Sequence, residues 1–189
     1  MQKLTEQNKS SLLEKIILNI KNYKPKPLVL EGLTPSAVLI PILKSSESLL
    51  FIKRTMKVKD HKGQIAFPGG VMFDDEKPEI TALREAEEEV GINPKDVTII
   101  GSLDDGVTIA GYLIHPVVGI VNDENFIPKP NPDEVERVII IKLEDLLAAK
   151  YIEGGDLRWE FHIGDIVIWG ATARILKNFL EVSFHISIG

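Results

Sequence analysis

Cysteine is absent from the 189 residues, so disulfides, thiolate metal sites and cysteine nucleophiles are excluded. No apolar run approaches the ~20 residues that a bilayer-crossing helix requires. Excess positive charge is missing too: the net charge of −6 argues against broad nucleic-acid binding through a basic surface. There is no internal repeat and no low-complexity tract. The opening "MQKLTEQNKSSLLEK" lacks the basic-then-apolar order of a signal peptide. These absences leave a soluble, cytoplasmic protein as the expectation, with neither a nucleic acid nor a membrane as partner. What is present is 44% hydrophobic content, enough for one sizeable core and too little for two comfortable domains.

The elements follow from periodicity and punctuation. Residues 10–22, "SSLLEKIILNIKN", carry apolar positions at helical spacing, with Ser10 or Ser11 as cap. "SAVLIPIL" and "SLLFIKR" read as a hairpin turning around Lys44 to Glu47. A loop leads to the short strand "QIAF" and then to Pro68, Gly69 and Gly70. Pro78 and Gly91 suit the start and stop of a helix over roughly Pro78 to Val90. "VTIIGSLDD", "GYLIHPVVGIV" and "EVERVIIIKL" are strands by composition, and "LEDLLAA" is a short helix. "RWEFHI" and "IVIWG" form a hairpin around Gly164 and Asp165, and "ATARILKNFLEV" is a closing amphipathic helix. The expected class is α/β, a mixed β-sheet with helices on its faces.

The informative stretch is "FPGGVMFDDEKPEITALREAEEEVGI", Phe67 to Ile92. On a helix Glu85, Glu88 and Glu89 share an arc of about 100°, while Glu87 points away. Three carboxylates on one face repel unless a cation lies among them. Hard oxygen ligands at this spacing suit Mg²⁺ or Mn²⁺. Ile80, Leu83, Ala86 and Val90 form the expected anchoring stripe. Taken alone, the glutamates read first as a solvated acidic face.

Their flanks decide the matter. Gly70, Glu76, Arg84, Glu85, Glu88, Glu89 and Gly91 fit G-x5-E-x7-R-E-U-x-E-E-x-G-U, with Ala86 and Ile92 at the apolar positions. Seven such matches arise by chance on the order of once in a million chains of this length. The pattern resembles the Nudix box of the Nudix hydrolases. The resemblance implies an α/β/α sandwich and metal-dependent hydrolysis of a nucleoside diphosphate linked to another group. By position, it implies Glu85 and Glu89 as principal ligands of Mg²⁺ or Mn²⁺, and Glu88 as a third ligand or the base acting on water. It also implies the Gly69 carbonyl in the metal shell, Arg84 orienting the glutamates and Glu76 bracing the loop. Residues 1–28 are then an N-terminal helix and lead-in, and 29–189 the hydrolase domain, one globular unit overall.

A further carboxylate from outside the box is common in this family, and Glu134 and Glu136 in "PDEVERV" are candidates for it or for strand-edge charges. Upstream, "LLFIKRTMKVKDHKGQIAFPGG" resembles the signature of the coenzyme A pyrophosphatase branch. Gly63, Phe67, Pro68, Gly69 and Gly70 match its ending. Phe51 and Lys59 depart from it, where threonine and a second arginine are usual. The implied reaction is cleavage of coenzyme A or acyl-coenzyme A to 3′,5′-ADP and (acyl-)4′-phosphopantetheine. Lys53, Arg54, Lys59, His61, Gly63, Phe67 and Gly70 are the implied substrate contacts. "FPGG" also reads as a tight turn that needs glycine freedom. Hydrolysis of ADP-ribose, a dinucleotide or a nucleoside triphosphate is the alternative, and a non-catalytic nucleotide sensor a further one. His115, Trp159, Phe161 and Trp169 read as packing residues, Tyr112 as packing or base stacking, and a homodimer is left open.

Overall fold

The computed structural model describes residues 11–57, 62–153 and 159–188. Two long strands set its frame. Thr34–Leu43 (β1) is buried over most of its length, as expected of a strand covered on both faces. It pairs in parallel with Tyr112–Val121 (β7), from Thr34 opposite Tyr112 to Leu43 opposite Val121. Ser48–Arg54 (β2) turns back on β1, and the hairpin holds only at Ile42–Leu49 and Leu43–Ser48. Beyond that point the two strands part. Ile65–Ala66 (β3) pairs with β2 and Gly69–Val71 (β4) pairs with β1, so "FPGG" is wedged into the split. Val97–Ser102 (β5) and Gly106–Val107 (β6) line the far edge of β7, and Val135–Lys142 (β8) runs antiparallel to β2. The result is one mixed eight-stranded sheet, as expected of the α/β class.

Alternation along these strands feeds two cores. Leu39, Leu50 and Ile52 face the helix Pro78–Val90 (α2). Ile40, Ile42, Leu49 and Phe51 face Leu12–Asn22 (α1) and Gly170–Phe184 (α4). Helices thus cover both faces, giving three layers. Ser11 caps α1 reciprocally: its hydroxyl accepts from Glu14 N at 3.1 Å, and Glu14 accepts from Ser11 N at 3.0 Å. Ser10, the other candidate cap, lies outside the described residues. The short helix Leu143–Leu147 (α3) follows β8. Lys150–Glu153 (β9), Trp159–Ile163 (β10) and Ile166–Trp169 (β11) make a separate three-stranded sheet that leads into α4. Among the described residues, no helix is long and apolar enough to cross a membrane.

Helix α2 corrects one expectation. Pro78 opens it and Gly91 closes it at φ 75°, with Gly91 N–H donating to Glu87 and Ile92 N–H to Ala86. Its buried side, however, is Thr81, Ala82, Ala86, Glu89 and Val90, while Ile80 is 54% exposed. Ile80 lies ~160° around the helix from Ala82. The small Ala82 and Ala86 let the helix lie close on the sheet, and that rotation carries Glu89 into the buried face.

Candidate active site

The site assembles where β1 and β2 part. Gly69 and Gly70 have ordinary extended backbones there, so glycine is not required for a turn. It is required for close approach. A Cβ on Gly69 would lie 2.4 Å from the Ala37 carbonyl oxygen, and one on Gly70 would lie 2.4 Å from the Glu85 carboxyl carbon. The strand thus forms a floor directly against the glutamates of α2.

Glu89 is 1% exposed and its two oxygens are separately held. Arg54 Nη1 donates to Oε1 at 3.1 Å, and Gly69 N–H donates to Oε2 at 3.0 Å. Burial outweighs these donors and pushes the Glu89 carboxyl up to about 8. Glu85 is raised for the same reason, against the Arg84 guanidinium that donates to it at 2.5 Å. Arg84 also donates to Glu76 through Nε at 3.2 Å and Nη2 at 3.1 Å, and lies 3.7 Å from Glu88. Glu76 accepts from Thr81 Oγ1 and Phe73 N–H as well, and the Arg84 contact first of all draws its carboxyl down to about 2. Arg84 is therefore a strut between the loop and the helix, with Phe73 stacked 4.3 Å from its guanidinium. Glu88 is half-exposed on the rim, and Glu87 points to solvent.

Glu134 arrives from the loop between β7 and β8. Asn131 N–H donates to the Glu89 carbonyl at 2.9 Å, and Lys129 N–H to the Val90 carbonyl at 2.9 Å, which docks this loop on the end of α2. Thr55 grips it from the other side: its N–H donates to the Glu134 carbonyl and its hydroxyl to the Asp133 carbonyl. The Glu134 carboxylate lies near enough to raise the pKa of both Glu85 and Glu89. Glu136, the other candidate, instead pairs with Lys53 at 2.7 Å.

Among the described residues no three carboxylate or imidazole groups already converge on one point, because arginines and backbone N–H groups hold the glutamates. The donor set nevertheless fits a hard divalent cation: Glu85, Glu88, Glu89 and Glu134 offer oxygen only, and the Gly70 backbone cradles Glu85 where any side chain would displace it.

The other expected residues divide. Arg54 lines the cleft that opens beyond the glycines, and its buried Nε has no hydrogen-bond partner among the described residues. Phe67 is buried, stacks on Phe51 at 4.6 Å and forms part of the cleft wall. Lys53 is turned away on its ion pair. Gly63 takes φ 67° in the turn after β2 and donates to the Arg54 carbonyl. Lys59 and His61 lie outside the described residues. His115 is held by Asp105 at 2.7 Å. Phe161 is buried, but Trp169 is 49% exposed and lines the cleft, which corrects its reading as core. Sequence reading passed over Arg174, Ile109 and Thr108 in that wall, since they come from segments far from the box. Thr55 and Asn131 were passed over too, for they act through backbone contacts.

Comparison with known proteins defines the class. The NUDIX domain family matches residues 33–159. Nudix hydrolase 15, mitochondrial, of Arabidopsis thaliana is 34% identical over 167 residues, covering 79% of this chain but 59% of its own length. The uncharacterised Nudix hydrolase NudL of Escherichia coli K12 is 37% identical over 154 residues, covering 76% of this chain and 79% of its own. In shape, the chain is similar to the E. coli ORF135 protein solved in solution, with a TM-score of 0.51 at 18% identity over 84% of this chain and 97% of that one. The chain belongs to the Nudix family of hydrolases, pyrophosphohydrolases of phosphorus-containing anhydrides that generally use divalent cations such as Mg²⁺ or Mn²⁺.

Proposed function

We propose that this protein hydrolyses the diphosphate of coenzyme A or acyl-coenzyme A to 3′,5′-ADP and (acyl-)4′-phosphopantetheine. The observation that carries the reading is the contact of "FPGG" with the box: Gly69 and Gly70 form the floor on which Glu85 and Glu89 rest, at the mouth of a cleft. Glu85, Glu88 and Glu89, with the Gly69 carbonyl, would hold Mg²⁺ or Mn²⁺. That ion would neutralise the diphosphate charge and make water a better nucleophile. Arg54 steadies Glu89 with one N–H and lines the cleft, which sets its guanidinium beside the place a phosphate oxygen would take. Glu134, positioned by Thr55 and Asn131, is suited to take the proton from the attacking water, with Glu88 the other candidate. Arg84 fixes Glu85 without touching substrate.

Hydrolysis of another nucleoside diphosphate derivative is supported by one observation: Lys53, an expected phosphate contact, is engaged by Glu136. The test is a product assay with Mg²⁺ or Mn²⁺ that offers coenzyme A, ADP-ribose, NADH and a diadenosine polyphosphate side by side. Selective release of 3′,5′-ADP and 4′-phosphopantetheine is expected. Preferential cleavage of another substrate would sink the coenzyme A reading, and tight nucleotide binding without turnover would point to a sensor.

A further inference from the structure

Beyond the glycine floor the cleft has a volume of about 580 Å³, room for much of a nucleotide-sized ligand. Its far wall is built by the β6–β7 turn and the β11–α4 junction. This wall is apolar and open: Ile109 is 96% exposed and Trp169 49% exposed, with Ala171 and Ile175 behind them. Arg174, in the second turn of α4, enters the same wall. One of its N–H groups donates to the Val107 carbonyl of β6.

A half-buried guanidinium ordinarily has a counter-ion, since taking it out of water costs several kcal/mol. Arg54 has Glu89, and Arg84 has Glu76 and Glu85. Arg174 pairs with no carboxylate among the described residues, and burial alone draws its pKa below the usual arginine value. The bond to Val107 uses one of five N–H donors. The remainder form a planar fork suited to phosphate, placed beside aromatic and branched side chains suited to a base.

We infer that Arg174 anchors an anionic group remote from the scissile diphosphate, a phosphate monoester on the substrate's ribose, with the nucleobase lying against Trp169 and Ile109. The identity of that group rests on the coenzyme A reading; the position of the anchor does not.

The test measures equilibrium binding of adenosine 3′,5′-bisphosphate and of AMP to the wild-type chain and to Arg174→Gln, beside the coenzyme A to dephospho-coenzyme A ratio of kcat/KM. The wild type is expected to prefer the bisphosphate by about tenfold or more, the worth of a hydrogen bond to a charged group. In Arg174→Gln that preference should fall to about one, and the kcat/KM ratio should fall with it through KM. A purely structural arginine would weaken both ligands alike. Equal binding of the two nucleotides by the wild type, or an undiminished preference in a folded Arg174→Gln, overturns the inference. If coenzyme A is not cleaved yet the preference exists and disappears on substitution, the anchor stands and the substrate reading falls. Should Arg174→Gln not fold, Arg174→Met keeps the apolar stem and carries the same comparison.

Discussion

Glu89 carries two demands at once on the proposed reading, since it is buried where it stands and must be charged to bind a cation. Its carboxyl at about 8 lies above the ordinary 4.5, so the folded chain retains a proton that the unfolded chain has lost over that interval. By linkage its contribution to stability falls as pH rises from about 4.5 to about 8. Glu76, drawn down to about 2, works the other way, contributing above 4.5 and losing that contribution as pH falls towards 2. In chelator, thermal unfolding should therefore show a Tm maximum between these windows and a decline toward pH 8. With Mg²⁺ added, affinity should rise over pH 6 to 8 with proton release, measurable by calorimetry in two buffers. Glu85→Gln and Glu89→Gln should each remove turnover while circular dichroism stays native. The adjacent glycines should separate from one another. Gly70→Ala drives a methyl onto the Glu85 carboxylate and should lower kcat about a hundredfold with little change in Tm. Gly69→Ala meets the backbone of β1 and should cost about 2 kcal/mol or more of stability, read by urea unfolding.

At the scale of elements, α2 governs the site through its small residues. Ala86→Leu should cost about 1–3 kcal/mol and lower kcat, because lifting the helix also lifts Glu85 and Glu89. Ile80→Ala, on the exposed side, should leave stability within about 0.5 kcal/mol. That contrast marks what was legible in the sequence. The limits of α2 were written in Pro78 and Gly91, and its glutamate cluster in the box. Its rotation was not, since an amphipathic count treats glutamate as outward and isoleucine as inward, whereas a site helix buries the carboxylate. The hairpin of β1 and β2 was likewise readable from its apolar runs. Its opening after two residue pairs was not, because the wedge of β3 and β4 is a tertiary event in strands of only two and three residues. Glu134 and Glu136 could not be told apart by composition; the ion pair of Glu136 with Lys53 and the grip of Thr55 on Glu134 separate them.

For the whole molecule, the two cores lie on opposite faces of one sheet. Ile16 and its neighbours fill the α1 and α4 side, while Ala82, Ala86 and Val90 fill the side that carries the glutamates. Ile16→Ala should cost about 2–5 kcal/mol by chemical denaturation, yet kcat per folded molecule should be unchanged. The N-terminal helix is thus tied to stability through Ile16 and Ile20.

The cleft has its own division of labour. Its floor comes from Arg54, Gly69 and Gly70, where a methyl added to either glycine is expected to be felt, whereas its far wall includes Ile109 and Trp169, whose exposed side chains have space to change. Selection can therefore rewrite which nucleotide is held while leaving the cutting chemistry alone. A laboratory library confined to Ile109, Trp169 and Arg174 would search new substrates from a scaffold whose hydrolytic half stays constant.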